Sequence, residues 1–354
     1  MPRNTLGLSS LGWNASFEQQ LSNEELEQTQ PYRVMEAHRG EVILSMGNEE
    51  LVLPLKGKKL AGLNGDQITV GDWLLISRDD GAFIRLLDRT SLIKRQSAGL
   101  DGPPQMVAAN INTLFIVTSC NEDFNLSRLE RYLVIAYAAG VYPVIVLTKQ
   151  DLIDDATSYV EKARTLGKNI AVEIVSGLVP STLNCLQNWC KLGQTIALVG
   201  SSGVGKSTLV NGLGAAPQKT GKIRESDAKG RHTTTHRALL PIADGPVLLD
   251  SPGMRGLGLV DASHGLDVVF EEVIDLSLKC RFSDCQHDQE PGCAIKGAIG
   301  NQVLTQRRVN NYNKLIAEQK YHSAPEIERR RIDKNAATNK KKGNFGKKSN
   351  RRHK

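Results

Sequence analysis

Residues 200–208 read GSSGVGKST. The stretch fits G-x-x-x-x-G-K-[ST], a loop that wraps nucleotide phosphates between a strand and a helix. Both flanks suit that reading. Residues 194–199 (QTIALV) form the short apolar run of a buried strand, and residues 206–213 can open a helix. Gly200, Gly203 and Gly205 let the backbone turn its N–H groups toward phosphate, and the helix N-terminus adds positive potential. Ser201, Ser202, Val204 and Thr208 complete the expected nucleotide loop. Lys206 is expected to reach the β- and γ-phosphates, and Ser207 to bind Mg²⁺.

Upstream of this loop, strands and helices alternate. Residues 113–119 (TLFIVTS) predict a buried strand. Residues 125–139 predict a helix, with Leu126, Leu129, Leu133 and Ala136 near one face and Gly140 as its stop. Residues 143–147 (PVIVL) predict another strand, with Thr148-Lys149-Gln150-Asp151 at its C-terminal end, where parallel sheets bind ligands. TKQD is close to N-K-x-D, the motif that specifies guanine. The Asp accepts both N1–H and the 2-amino hydrogen, a pair of donors that adenine lacks. Lys149 can lay its stem over the base. Thr148 stands where Asn is usual, and its hydroxyl can still make a short bracing hydrogen bond. Residues 171–175 (AVEIV) predict a further strand ending at Ser176-Gly177, the expected place for backbone contacts to the base edge; an ordinary turn is the equal alternative.

Downstream, residues 222–237 are polar and end in GRHTTTHR. A loop with threonine hydroxyls is what a γ-phosphate sensor needs. Thr233, Thr234 and Thr235 qualify, with Thr234 favoured as the Mg²⁺ ligand. Residues 246–249 lead into Asp250-Ser251-Pro252-Gly253, a D-x-x-G motif in which Asp250 holds Mg²⁺ and the Gly253 N–H faces the γ-phosphate. Met254 occupies the position where many such sites carry a water-orienting glutamine. His232, beside the threonine run, is the nearest replacement. In small GTPases the phosphate loop comes first and N-K-x-D last. Here TKQD precedes the phosphate loop by about fifty residues, so the same sheet is threaded from a different starting strand.

Cys280-x4-Cys285-x-His287-x5-Cys293 follows. Three thiolates and an imidazole make a closed tetrahedral set for one structural Zn²⁺. The other three of the six cysteines, Cys120, Cys185 and Cys190, read as inert thiols. Residues 303–320 are expected to be helical. At the other end, residues 40–45, 50–55, 67–70, 72–77 and 82–87 are five closely spaced strand candidates, which suggest a small barrel of the oligonucleotide-binding (OB-fold) type or a purely structural β-domain. Lys56, Lys58 and Lys59 sit in one of its loops. Residues 17–28 could form a short helix with no assigned role.

The chain has 354 residues and a net charge of +7. Residues 329–354 hold twelve Lys/Arg and one acid, a net of +11, leaving about −4 for the rest. Such a tail suits a polyanionic partner. No run approaches a membrane span, and residues 1–22 lack the apolar core of a signal peptide, so a cytoplasmic location is expected.

The order barrel, TKQD, GSSGVGKST, GRHTTT, DSPG, then the Cys/His set, over about residues 33–320, resembles the RsgA (YjeQ) family of circularly permuted bacterial GTPases. The resemblance implies a multidomain protein: an N-terminal extension (1–32), an OB-fold β-barrel (33–98), a central α/β P-loop GTPase domain with permuted motif order (99–262), a helical zinc-binding module (263–325) and a basic disordered tail (326–354). It further implies a monomeric cytoplasmic enzyme that hydrolyses GTP with Mg²⁺, with His232 as the catalytic water-positioning group. Its partner would be the small ribosomal subunit, bound through rRNA by the barrel and zinc module in late maturation, with hydrolysis stimulated by the ribosome. Two other classes compete: a nucleic-acid-binding module with a remnant nucleotide site, opposed by the intact Lys206, Ser207, Asp250 and Asp151, and an ATP-dependent P-loop enzyme such as a kinase, opposed by Asp151.

Overall fold

The computed structural model describes residues 5–38, 40–55, 68–96, 104–214, 237–242, 244–250, 257–288, 290–324, 327–329 and 331. Three short helices lead the chain: α1 (Thr5–Ser10), α2 (Ala15–Glu18) and α3 (Asn23–Gln28). The five strands β1 (Thr29–Ala37), β2 (Glu41–Ser45), β3 (Glu50–Pro54), β4 (Trp73–Ser77) and β5 (Phe83–Leu86) follow. They pair antiparallel in the order β3-β2-β1-β4-β5. Alternation supplies their core: Val34, Val42, Leu44, Leu53, Leu74 and Ile76 are all buried together.

This part departs from the sequence reading in two places. The strand expected at 67–70 is absent over its described residues 68–70, which run into a turn. There the Asp72 carboxylate accepts from the Thr69 N–H at 2.7 Å and pairs with Arg89 at 2.7 Å, so local polar bonds outcompete a ladder. The strand β1 was hidden, because Pro31 and Arg33 break its apolar pattern. Arg33 is nonetheless buried, 1% exposed. Its guanidinium donates to the Leu11 carbonyl and, at 3.1 Å, to that of Asn110, and lies 5.6 Å over the Trp73 ring. Burial pushes its pKa down to about 9.

The first two helices and the turn between them belong to the core. Leu8, Leu11, Trp13 and Phe17 are buried, and Trp13 meets Trp73 edge-on at 5.0 Å. Ser22 and Glu25 form a capping box that starts α3. Glu25 also binds Arg85 of β5 at 2.6 Å and 3.1 Å.

A hairpin of β6 (Leu92–Arg95) and β7 (Gln105–Ala109) follows, and residues 97–103 between its strands lie outside the described residues. Next come β8 (Thr113–Ser119), α4 (Leu126–Ala138), β9 (Tyr142–Thr148), α5 (Thr157–Arg164), β10 (Ala171–Ile174), β11 (Thr195–Val199), α6 (Lys206–Gly212), β12 (Arg237–Pro241) and β13 (Val247–Asp250). Asn125 caps α4 by accepting from the Arg128 N–H at 3.0 Å. The strands β10-β9-β8-β11-β13 are parallel and in that order. Their unbroken apolar runs fit a sheet covered on both faces. The order reverses between β8 and β11, since β9 and β10 extend one way and β13 the other. Strand β12 closes this side antiparallel to β13 and also pairs with β1, so the five N-terminal strands and the parallel sheet form one hydrogen-bonded surface.

A second compact unit holds residues 96–104 and 258–354. Its helices are α7 (Ser263–Val269), α8 (Glu271–Ser277), α9 (Ala294–Gly300) and α10 (Gln306–Ser323). Arg308 of α10 lies 4.8 Å over buried Phe270, donates to the Val269 carbonyl at 2.6 Å and pairs with Glu272 at 2.5 Å. No described helix is long and apolar enough to cross a membrane.

The Arg85 hydrogen bond holds the Glu25 carboxyl at about 2, below its ordinary 4.5. A depressed carboxylate stabilises the fold above the unfolded pKa and loses that contribution as pH falls from about 4.5 toward 2. Glu25→Gln keeps the capping box but drops the charge, so it should cost up to about 1 kcal/mol at pH 7 in denaturant titrations. The gap between the two proteins should close across that acid window.

Candidate nucleotide and metal sites

The parallel strands β8, β9, β10, β11 and β13 all end at one edge of the sheet, and the described residues of the expected nucleotide site lie there. The phosphate loop leaves β11 beside β8, at the reversal of strand order, where open α/β sheets form a crevice. Gly200 is required at that point. Its φ is +146°, and a Cβ there would stand 2.2 Å from the Val117 carbonyl oxygen of β8. Lys206 folds back over the loop, donating to the carbonyls of Gly200 at 2.7 Å and Ser201 at 2.5 Å. Its ammonium thus stands within the loop that would hold phosphate. Ser202 and Gly203 are exposed, Val204 is buried beneath them, and Ser207 is exposed at the first turn of α6.

Thr148 ends β9 and answers the question raised by its departure from N-K-x-D. It is buried, and its hydroxyl lies 2.6 Å from the Val204 carbonyl and 3.3 Å from that of Thr118. The single hydroxyl proton goes to the nearer oxygen, so the base-side strand is tied to the phosphate loop. Lys149 then takes a left-handed turn (φ +61°), and Gln150–Leu152 make one 3-10 turn that carries Asp151.

Ser176 joins this group across β10. Its hydroxyl donates to the Asp151 carboxylate at 2.5 Å and accepts from the Leu178 N–H at 3.1 Å. Gly177 packs onto α6: a Cβ there would meet the Thr208 methyl at 2.5 Å. The Ser176-Gly177 turn is therefore wedged between Asp151 and the helix that follows the phosphate loop. Thr182 was not anticipated. It accepts from the Ser176 N–H at 2.9 Å, 2.7 Å from the Val179 carbonyl, and holds the turn's other side. Its only trace in the sequence is a hydroxyl residue two places after Pro180.

Asp250 is the last residue of β13, exposed at the same edge and opposite Ala238 of β12. His232, Thr233, Thr234, Thr235, Gly253 and Met254 lie outside the described residues.

In the second unit, Cys280, Cys285, His287 and Cys293 offer ligand atoms that all lie within 4.8 Å of one another. Cys280 Sγ and Cys293 Sγ are each 3.5 Å from His287 Nδ1 and 3.9 Å apart. Tetrahedral zinc, with Zn–S of about 2.3 Å and Zn–N of about 2.0 Å, separates its ligands by about 3.8 Å (S···S) and about 3.5 Å (S···N). The donor set fits. Glu290 holds the intervening loop by accepting from the N–H groups of Gln286 at 2.8 Å and Asp288 at 2.9 Å. The remaining thiols are different in kind. Burial pushes Cys120 up to about 11 and Cys185 and Cys190 up to about 12, which keeps them protonated and unreactive.

The GSSGVGKST loop, the TKQD turn and Asp250 on one sheet, threaded with TKQD first, make the arrangement of a circularly permuted GTPase. Residues 86–260 match the family described as RsgA GTPase. A Vibrio vulnificus protein called "Small ribosomal subunit biogenesis GTPase RsgA 2" is 46% identical over 326 residues, 91% of each chain. A Mesorhizobium japonicum "Small ribosomal subunit biogenesis GTPase RsgA" is 43% identical over 324 residues, 90% of this chain and 91% of its own. The crystal structure of YjeQ from Thermotoga maritima matches with a TM-score of 0.59 at 26% identity, covering 82% of this chain and 98% of that one. The fold is shared as well with YloQ, "a circularly permuted GTPase", at a TM-score of 0.58 and 22% identity over 86% of this chain and 100% of that one. The chain belongs to the RsgA GTPase family and is a GTP-hydrolysing enzyme.

Thr148→Val keeps shape but leaves the Val204 carbonyl without its donor, a loss of about 1–3 kcal/mol. Affinity for GDP should fall about tenfold in a fluorescent-nucleotide titration. Thr148→Asn, which restores a donor, should recover most of it; wild-type affinity in the valine variant would show that the brace does not matter.

Proposed function

We propose that this enzyme is a ribosome-stimulated GTPase that binds the small ribosomal subunit through rRNA and assists its late maturation, converting GTP to GDP and phosphate. The observation that carries the reading is the 46% identity to the Vibrio vulnificus protein, sustained over 91% of both chains and so across barrel, nucleotide sheet and Cys/His cluster.

In this reading Asp151 accepts the N1–H and 2-amino donors of guanine, and its bond to Ser176 pre-aims the carboxylate. Lys149 covers the base, and Thr148, Gln150 and Gly177 complete the pocket. Residues 200–208 hold the phosphates, Lys206 swings from its carbonyls to the β- and γ-phosphates, and Ser207, Thr234 and Asp250 hold Mg²⁺. Mg²⁺ supplies charge neutralisation at the phosphates; the protein supplies orientation and exclusion of wrong bases. His232 positions the attacking water, and Gly253 donates its N–H to the γ-phosphate. One structural Zn²⁺ sits at Cys280, Cys285, His287 and Cys293. The pairing order β3-β2-β1-β4-β5 supports an OB-type barrel for residues 33–98. The basic run at 56–59 and the tail at 329–354, with net +11, would add electrostatic RNA contacts. The enzyme would act as a cytoplasmic monomer.

Turnover of GTP against ATP, with and without purified small subunits, tests the activity. GTP alone should be hydrolysed well, and subunits should accelerate it; equal ATP turnover or no acceleration would overturn the reading. In the same assay Asp151→Asn should shift preference from GTP toward XTP, because the amide accepts only one guanine donor. His232→Ala should lose subunit-stimulated hydrolysis in single-turnover experiments while nucleotide and subunit affinities stay unchanged, the signature of an interaction made only in the transition state. Elemental analysis should find about one zinc per chain. Cys285→Ser should lower that content and destabilise the C-terminal unit, since binding and folding of such a small module are coupled.

A further inference from the structure

Strand β1 pairs with two different strands along one edge. Residues Thr29 to Arg33 pair with β4 inside the barrel, and Glu36 and Ala37 pair with β12 of the nucleotide sheet. Between them the Val34 N–H donates to the Asp72 carbonyl at 2.8 Å, and a register shift falls between Val34 and Glu36 against β2. Such an irregularity bends a strand and re-aims it. Here it turns β1 out of the barrel and onto β12.

The row formed at this junction is Glu36, Ala238, Asp250: Glu36 faces Ala238, and Ala238 faces Asp250. Strands lie about 4.8 Å apart, so Glu36 of the barrel is about 10 Å from the backbone of the D-x-x-G aspartate, through hydrogen-bonded ladder alone. Ala238 and Leu239 are buried, and Arg237 anchors the start of β12 by donating to the Met106 carbonyl at 2.5 Å. In sequence, β12 also begins one residue beyond the threonine run, with His236 between. The barrel thus hangs on the strand that connects the two segments expected to sense the γ-phosphate. A strand held on both sides cannot shift against one neighbour without moving the other.

We propose that β1 couples the barrel to the nucleotide state. A change at Asp250 between GTP and GDP moves β12, and β12 carries β1 and the paired β2 with it. By reciprocity, a macromolecule seated on the barrel changes the relative affinity for GTP and GDP. This rests on the assignment of Asp250 and the phosphate loop to Mg²⁺–GTP.

Hydrogen exchange of the full-length protein, saturated with Mg²⁺ and either GDP or a non-hydrolysable GTP analogue, tests it. Amides of the phosphate loop should be protected by both nucleotides relative to the free protein. Amides of β12 and of residues 34–37 of β1 should exchange at rates differing at least twofold between the two nucleotides, while those of β3 stay unchanged. Protection of the phosphate loop with no difference at β1, whether or not β12 responds, would overturn the coupling. A uniform difference over every strand, β3 included, would also overturn it, because that is global stabilisation. If the phosphate loop gains no protection from either nucleotide, the nucleotide assignment itself is wrong, and the coupling falls with it.

Discussion

The approach of the phosphate loop to β8 is the constraint on which the nucleotide site depends. The backbone at Gly200 passes so close to the Val117 carbonyl that no side chain fits. That contact sets where the loop begins. The Thr148 hydroxyl then fixes the same loop from β9 through the Val204 carbonyl. Two short contacts, from two strands, therefore define the position of the amides that face phosphate, and the first turn of α6 follows from them. The base-side group is built on the same frame, because Gly177 touches α6 at Thr208 and Ser176 holds Asp151. The segments at Asp151, Ser176-Gly177 and the G-x-x-x-x-G-K-S loop are thus held to one another by direct contacts.

Permutation alters what these segments are attached to. With TKQD first in the chain, β12 and β13 come after the parallel strands β8 to β11. Strand β12 does not end the sheet: the N-terminal antiparallel strands continue it through β1. The N-terminal strands and the parallel sheet are consequently parts of one compact unit, and the N-terminal segment reinforces the union through Leu11, Trp13 and Arg33. A buried arginine is an expensive way to join two layers. Here its charge is met by carbonyls from two separate parts of the unit, the N-terminal segment at Leu11 and the end of β7 at Asn110, and by the face of Trp73. Such a group fits only one arrangement of its neighbours, whereas apolar residues would tolerate several.

The Cys/His cluster follows a different logic. Four ligands within fourteen residues leave no room for a hydrophobic core between them. Backbone hydrogen bonds to Glu290 and the cluster's own donor geometry shape the loop, while Phe270 and Arg308 supply the packing of the helices around it.

Sequence alone determined those parts whose chemistry is written within a few consecutive residues. The turn-to-helix step at GSSGVGKST, the strand end at TKQD and the clustering of the four Cys/His residues could be read because glycine-rich turns, apolar strands and closely spaced thiols act locally. The parallel strands were legible for the same reason: burial on both faces demands unbroken apolar runs such as TLFIVTS. What depended on distant partners was not legible. Strand β1 was hidden because Arg33 finds its partners at Leu11, Trp73 and Asn110. The segment at 68–70 lost its expected strand to a carboxylate that Arg89 holds from outside. The N-terminal helices gave no sign of the aromatic cluster they complete with Trp73. Thr148 and Ser176 acquired their meaning only when the fold brought Val204 and Asp151 to them. Only the tertiary structure could decide these points, because a hydrogen bond between residues tens of positions apart leaves no periodicity in the chain and exists only once the strands between them are ordered.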